Sequence, residues 1–569
     1  MTDAFNTADY LVDRHVREGN GSRTALVTPV RTLTYEHLAA EVRRVAAGLR
    51  ALGVRPEERV LMCMADDVEL FTGILAAFHI GAVALPASTM LTGPELGKLV
   101  ADSRCRVVLG SAEFEPVVRA ALQQAPEVEH AVLTGQDTTG LPGHVEGHTW
   151  QQLLDGGAGT DDGPYPTWPD SPALWLYTSG TTGLPKAAMH RHVDIRFAAE
   201  NYGQRVLGLG PDDRCLSVAK LFFAYGIGNS LFFPLAAGGT ALLEPSRPSP
   251  ALFAKRAAGD RATVLFGTPS FFGPLLASAD IPDDAFTTVR MGASAGEALP
   301  ARMYDGMLQR FGVEVLDGIG STEMLHIFIS NRSGRVHPGS SGEPVPGYAV
   351  ELRDVEGRVV KGDNTPGELY VRGESAATGY WCRAETSRQV FLGDWVRTGD
   401  TYVRNTDGTY TCMGRTNDLL KAGGIWVSPA EVEERLLAHP DVAEVAVVGV
   451  PDADGLDKPV ACVVPKPGHE VHPEALVAWC REGLAAFKRP RGVIGLPELP
   501  RTPTGKIRRN VLRAMVRDGS WAEAPVPPPR SRRGPSRAAR CPARIHTSET
   551  TSPGEISQAV SSPTKKTQR

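Results

Sequence analysis

The chain has few cysteines for its length. Eight stand among 569 residues, at 63, 105, 215, 382, 412, 462, 480 and 541, and no two form a CxxC pair. That argues against a zinc ribbon, a thioredoxin-like site and a disulfide framework, leaving reduced, buried or incidental thiols. Basic charge is not in excess either. Against 65 Asp and Glu stand 60 Lys and Arg, a formal net charge of −5, which disfavours a dedicated nucleic-acid binder. The N-terminal MTDAFNTADYLVDRHVREGN has neither a basic head nor an apolar run of signal-peptide type. The most apolar stretch, 70–87, contains His79, two glycines and Pro86 and lacks anchoring charges at its ends. It reads as a buried helix entering a buried strand rather than a membrane span. A cytoplasmic protein without membrane or nucleic-acid partners is the expectation.

What remains is an ordinary globular composition, 42% apolar and 22% charged, over a length that calls for several domains. Through the first 400 residues strand-like and helix-like patterns alternate: Arg59–Met64, Val68–Ile80, Arg106–Leu109, Phe114–Gln124, Ala173–Tyr177. Such alternation predicts α/β layers around a largely parallel sheet. After about residue 350 short strands with turn signals follow, among them Gly367–Val371, Thr401–Arg404 and Thr409–Met413, with Asn405-Thr-Asp-Gly408 as a tight turn, so a β-rich subdomain is expected. Beyond Arg415 the pattern is a helix at Pro429–Leu437, strands at Val445–Val450 and Val460–Val464, and a helix at Pro473–Phe487: a small α+β unit. The predicted organisation is a large domain over 1–415, a small mobile one over 416–523 and a tail over 524–569. The tail, rich in Pro, Ser and Arg, carries nine basic residues against two Glu and cannot bury enough apolar surface to order itself.

The loudest chemical signal is Tyr177-Thr-Ser-Gly-Thr-Thr-Gly-Leu-Pro-Lys186, which follows a buried strand. Small residues let backbone amides approach a phosphate, hydroxyls add donors, and Lys186 adds positive charge. It is not a Walker A loop, because GxxxxGK[ST] is absent. Four further motifs follow in order: Gly318-Ile-Gly-Ser-Thr-Glu323, Arg397-Thr-Gly-Asp400, Gly414-Arg-Thr-Asn-Asp-Leu-Leu-Lys-Ala-Gly-Gly424 and Pro500-Arg-Thr-Pro-Thr-Gly-Lys506. Together they resemble the adenylate-forming superfamily of acyl- and aryl-CoA synthetases, peptide-synthetase adenylation domains and luciferases. The resemblance covers residues 10–520.

That resemblance implies ATP, Mg²⁺ and a thiol acceptor. By it, Thr178, Ser179, Gly180, Thr181, Thr182 and Gly183 cradle the β- and γ-phosphates. Thr322 contacts the α-phosphate, Glu323 holds Mg²⁺, and Lys186 and Lys506 supply catalytic positive charge, Lys506 at the α-phosphate and the reacting carboxylate. Adenine is expected on Ser294, Ala295, Gly296 and Glu297 and on Asp317 and Gly318; the ribose is expected on Asp400, with Arg415 beside it. The C-terminal domain would rotate between half-reactions about Asn417, a position where the family usually has Asp or Lys. Gly423 and Gly424 would line the pantetheine tunnel, flanked by Trp426.

The stretches Lys220-Leu-Phe-Phe-Ala-Tyr-Gly-Ile-Gly-Asn229, Ser321–Asn331 and Gly424–Pro429 are similar to those of benzoate–CoA ligases. Phe223, where the superfamily often has His, and Ile319, where it often has an aromatic, fit that subgroup. The implied aryl-acid pocket is Ala224, Tyr225, Gly320, His326 and Ile327, with no Asp, Glu, Lys or Arg among them. The substrate would be a small aromatic carboxylate, benzoate or a simple substituted benzoate. The acceptor would be CoA or, as an alternative, the phosphopantetheine of a carrier protein, and Lys488, Arg489 and Arg491 are candidates for the CoA phosphate. His190 and His192 read as structural, and the chain as a monomer or homodimer.

Overall fold

The computed structural model describes residues 4–157, 163–178, 185–416, 420–422, 425–427, 429–451, 457–484, 488–501 and 507–519. Two large sheets dominate. One has seven strands in the order Glu146–Thr149, His130–Leu133, Val107–Gly110, Arg59–Cys63, Val83–Pro86, Pro172–Thr178, Lys186–Arg191, parallel throughout except for the last pair. The other has nine strands. Its parallel centre runs Val315–Gly320, Met291–Ser294, Val264–Gly267, Arg214–Ser217, Thr240–Leu242, Thr24–Val27, with antiparallel strands at both edges.

The strands are short apolar runs because both faces of each sheet are covered. Val60, Met62, Val107 and Leu109 from one sheet and Leu26, Cys215, Phe266 and Leu316 from the other meet in a single core. The helix Val68–His79 lies in that core with all of its residues buried except Glu69. Its N-terminus is closed by Asp67, whose side chain accepts the Val68 amide. Sequestering a Leu or Phe there is worth about 1.5–3 kcal/mol per side chain. This is the stretch that reached membrane-spanning length in the sequence; it is a helix followed by the strand Val83–Pro86. No helix among the described residues is long and apolar enough to cross a membrane.

The β-rich part is a five-stranded antiparallel sheet built from Ala349–Arg353, Gly367–Arg372, Phe391–Leu392, Trp395–Arg404 and Tyr410–Arg415. Farther on, Val442–Pro451, Asp457–Pro465 and Gly492–Gly495 form a three-stranded sheet. Its residues alternate cleanly: Val445, Val447, Ala461 and Val463 face one cluster with the helices Pro429–Leu437 and Pro473–Gly483, while Ala446, Val448 and Cys462 face another with Leu512. The second of these helices stops at Gly483, short of the expected Phe487; Leu484 is already extended there. The expected helix Phe114–Gln124 is likewise shorter, Glu115–Leu122 after one 3₁₀ turn. All seven cysteines among the described residues are free thiols. The tail from 524 lies outside the described residues.

Candidate active site

Both halves of the site are built where the strand Val315–Gly320 ends. A Cβ on Gly320 would stand 2.6 Å from the carbonyl oxygen of His326, so only glycine lets the returning strand Ile327–Ser330 close on it. Beside this junction lies a cavity of about 520 Å³. Ala224, Tyr225, Gly320, His326 and Ile327, the five residues expected around an aryl acid, all line it. Ala295, Gly296, Glu297 and Thr322 line the same cavity, so the segment expected at adenine and the residues expected at the aryl acid share one cavity. Ser294 and Asp317 do not reach it. They are buried side by side in the sheet, and burial raises the Asp317 carboxyl above the ordinary carboxylate range.

The end expected to take the aryl acid is set by interior packing. Gly228 carries no side chain because a Cβ would lie 2.3 Å from the His326 ring. That ring packs among Phe233, Tyr202 and Tyr225 at centroid distances of 4.5, 5.3 and 5.4 Å. Its Nε2 faces the Tyr225 carbonyl at 3.3 Å, an acceptor, which places the proton on Nε2 and leaves Nδ1 as an unpartnered lone pair. Burial pulls His326 down to about 3, so it is neutral at physiological pH. Tyr225 donates its hydroxyl to the Ala293 carbonyl at 3.0 Å.

The far wall belongs to none of the motifs. Pro248, Pro250, Phe271 and Pro274 complete the cavity. Pro274 sits within the helix Pro269–Ala277 and has no amide to offer the carbonyl of Ser270, itself a lining residue. Lys220 holds the approach to Pro248: its ammonium donates to the carbonyls of Glu244, Pro245 and Ser246. Asp66, which accepts the Leu221 amide at 3.1 Å, is buried, and burial lifts it to about 6.

The end expected to take the phosphates is assembled around the facing strand ends at Thr178 and Lys186. Thr178 and Lys186 face one another across the antiparallel ladder on either side of the segment 179–184. The Lys186 ammonium stands 4.6 Å above the Tyr380 ring, and the Tyr380 hydroxyl donates to Glu323 Oε1 at 2.7 Å. Burial first, and then the Glu323 carboxylate, keep the Tyr380 proton in place. Tyr380 stands in none of the five motifs; its signal is the Gly379-Tyr-Trp triplet, in which Gly379 turns with φ +145° and Trp381 stacks on Trp175 at 4.7 Å. His190 is interior, as expected, and also reaches the site. Its Nε2 bonds the Thr322 carbonyl at 2.7 Å while Asp194 holds Nδ1 at 3.1 Å. His192 is an interior partner of Thr7.

Asp400 and Arg415 are cross-strand neighbours with an ion pair of 3.1 Å. Burial first, and then Asp400, raise the Cys412 thiol to about 11. Lys488 is paired with Glu431, and Arg489 donates to the Leu484 and Arg481 carbonyls. Ser179, Gly180, Thr181, Thr182, Gly183, Asn417, Gly423, Gly424 and Lys506 lie outside the described residues, as does the side chain of Trp426.

An oriented carboxylate and a cation stand beside this single cavity, on a pair of largely parallel sheets, as the resemblance to adenylate-forming enzymes implies. The chain belongs to the AMP-binding enzyme family, whose model matches residues 12–381; the AMP-binding enzyme C-terminal domain matches 431–506. It is 41% identical to the benzoate–CoA ligase of Thauera aromatica over 518 residues, 90% of this chain and 97% of that protein. A solved benzoate CoA ligase from Burkholderia xenovorans superposes with a TM-score of 0.81 at 40% identity, covering 90% of this chain and 100% of the other. An anthranilate CoA ligase solved with anthranoyl-AMP superposes with a TM-score of 0.85 at 36% identity, covering 91% and 99%.

Proposed function

We propose that this chain is an aryl-CoA ligase that activates benzoate, or a simply substituted benzoate, with ATP and transfers the acyl group to CoA. The observation that carries the substrate class is the cavity wall. Apart from the neutral His326 and the Tyr225 phenol, Glu297 is the one ionisable residue lining it among the described residues, and Glu297 is exposed at the nucleotide side. A flat apolar ring fits such a wall; a ring bearing a charged group would have no counter-ion there.

In the first step a benzoate carboxylate oxygen attacks the α-phosphorus of ATP and pyrophosphate leaves. Lys186 and Lys506 offset charge on the phosphates and the reacting carboxylate, with the amides and hydroxyls of 178–183 orienting the leaving group. Glu323 suits Mg²⁺, being a hard oxygen donor whose orientation Tyr380 fixes. Once bound, that ion neutralises phosphate charge. Asp400 accepts from the ribose hydroxyls, and its pairing with Arg415 keeps it aimed. In the second step the C-terminal domain, 416–523, turns about Asn417; the CoA sulfur, arriving along Gly423, Gly424 and Trp426, attacks the acyl carbon and AMP leaves.

The test is an acid panel. Benzoate, its hydroxy, amino and halo derivatives, cinnamate and short fatty acids are incubated with ATP and Mg²⁺, with and without CoA. Hydroxylamine traps acyl-AMP, and acyl-CoA is read by mass. Benzoyl-CoA as the dominant product supports the reading. Benzoyl-hydroxamate without benzoyl-CoA redirects the second step to a carrier-protein thiol, and no aryl product at all overturns the pocket assignment.

A further inference from the structure

At the opposite edge of the seven-stranded sheet from Thr178 and Lys186, the structure gathers His130, Glu146 and His148, with ligand atoms all within 4.8 Å of one another. His130 Nδ1 and His148 Nε2 are 3.1 Å apart; Glu146 places Oε2 3.7 Å from the first and Oε1 3.9 Å from the second. The register explains why. Glu146 pairs with His130 across the parallel ladder, and His148, two residues on, projects from the same face beside Val132. The face is fixed by Gly147 between them: a Cβ there would lie 2.8 Å from the Thr138 carbonyl, so the other side of the strand is closed by the 138–141 segment. Both imidazoles are mostly sheltered, at 19% and 16% side-chain exposure, while Glu146 at 69% is free to swing.

We propose that these three side chains bind one divalent transition-metal ion of the zinc class. Two imidazole nitrogens bound at about 2.0–2.1 Å to a tetrahedral ion stand roughly 3.3–3.4 Å apart, close to the separation the fold already imposes. Two imidazoles and one carboxylate form a borderline donor set that suits Zn²⁺, Co²⁺ or Ni²⁺ better than Mg²⁺ or Ca²⁺, with solvent completing the coordination. The neighbouring charges leave the cluster to the ion, since Arg106 is engaged by Glu129 and Glu58. The ion would clip the outermost strand, which among the described residues is hydrogen-bonded to a neighbouring strand on one side only. It would also clip the start of the helix Trp150–Gly156, whose capping residue Thr149 follows His148 directly. Five strand spacings of about 4.8 Å separate this edge from Thr178, so the clip is independent of the Mg²⁺ assigned to Glu323.

The experiment uses the full chain stripped with a chelator and titrated with Co²⁺, read by visible absorption, and with Zn²⁺ in competition with a chromophoric chelator. Wild type, His130→Ala, His148→Ala, His148→Gln and Glu146→Gln are compared, with hydroxamate formation as a check on folding. The expected result is one Co²⁺ equivalent with a nitrogen/oxygen-ligated spectrum. Affinity should fall by roughly tenfold or more in each histidine variant, since even residues that only support metal ligands cost about 10–100-fold. Zn²⁺ should raise the melting temperature of wild type and leave that of the histidine variants unmoved. Wild type that takes up no metal, or folded variants that bind as wild type does, overturns the proposal.

Discussion

The proposed aryl wall and the proposed phosphate end share the strand Val315–Gly320 but are held by different forces. At the aryl end, shape is set by packing. His326 is clamped among three aromatic rings, Gly228 leaves room for it, and burial keeps it neutral. At the phosphate end, position is set by polar contacts between separate segments: Tyr380 to Glu323, His190 to Thr322, Arg415 to Asp400. A close-packed wall discriminates by volume and is costly to alter. A polar rim on strand ends can adjust as charge moves, which is what a reaction that builds and releases phosphate anions requires. Changes at the aryl end should therefore act on which acid binds, and changes at the phosphate end on how fast the adenylate forms.

The sharpest test of that division is Lys506→Ala. It should cut benzoyl-AMP formation by about 10²–10³-fold, the usual loss for a preorganised charge at a developing anion, with benzoate KM and melting temperature little changed. An unchanged rate removes Lys506 from the chemistry. Tyr380→Phe comes next. Losing a hydrogen bond to a charged group costs about 1.5–3 kcal/mol, so kcat should fall roughly tenfold or more while the ranking of acids stays put. A shifted ranking would break the comparison.

From the other side, Gly228→Ala should push His326 into the cavity. The cost in stability is about 1–3 kcal/mol for overpacking, and benzoate KM should rise more than kcat falls. Equal loss for every acid in the panel would mean that the wall does not select. The smallest effect is on pH. His192 and His326 sit at about 3 in the folded chain against 6.5 for a solvated imidazole, so the unfolded chain takes up those protons first. Their contribution to stability is whole above pH 6.5 and declines as pH falls toward 3. Asp66, lifted to about 6, opposes this between 3.8 and 6, and Asp317 and Glu69, also raised by burial, act with it; His15 and His148, lowered by burial, act with His192 and His326. Thermal melts from about pH 7.5 to about pH 4.5 should show a falling midpoint; a flat or rising profile would mean that the imidazoles do not outweigh the buried carboxyls.

Much of this architecture is legible in the order of residues along the chain, and for identifiable reasons. Short apolar runs alternating with amphipathic ones announce parallel α/β layers, and the segment after Ala173–Tyr177 announces phosphate chemistry because only small and hydroxyl residues let amides converge. Ala224, Tyr225, Gly320, His326 and Ile327 can be named because each is tied to a local motif, and they do line one cavity. Tyr380 and the prolines at 248, 250 and 274 cannot, and Lys220, which opens the Lys220–Asn229 stretch, shows its contacts to 244–246 only in the fold. Their roles depend on segments distant in sequence: Tyr380 matters through Glu323, and Pro274 through the cavity it shares with Tyr225. Glu297 reads from its motif as an adenine residue alone, and the structure puts it in the wall of the same cavity as the five residues expected around the aryl acid.

By itself the sequence determined the family, the order of its motifs and the class of chemistry, since those follow from local residue types and spacing. Only the tertiary structure decided that His326 is a neutral wall residue rather than a titrating one. It alone set a single continuous cavity in place of two pockets, and a His-Glu-His triad at a distant sheet edge. Burial and register are properties of the assembled sheets, and neither is written in any one segment of chain.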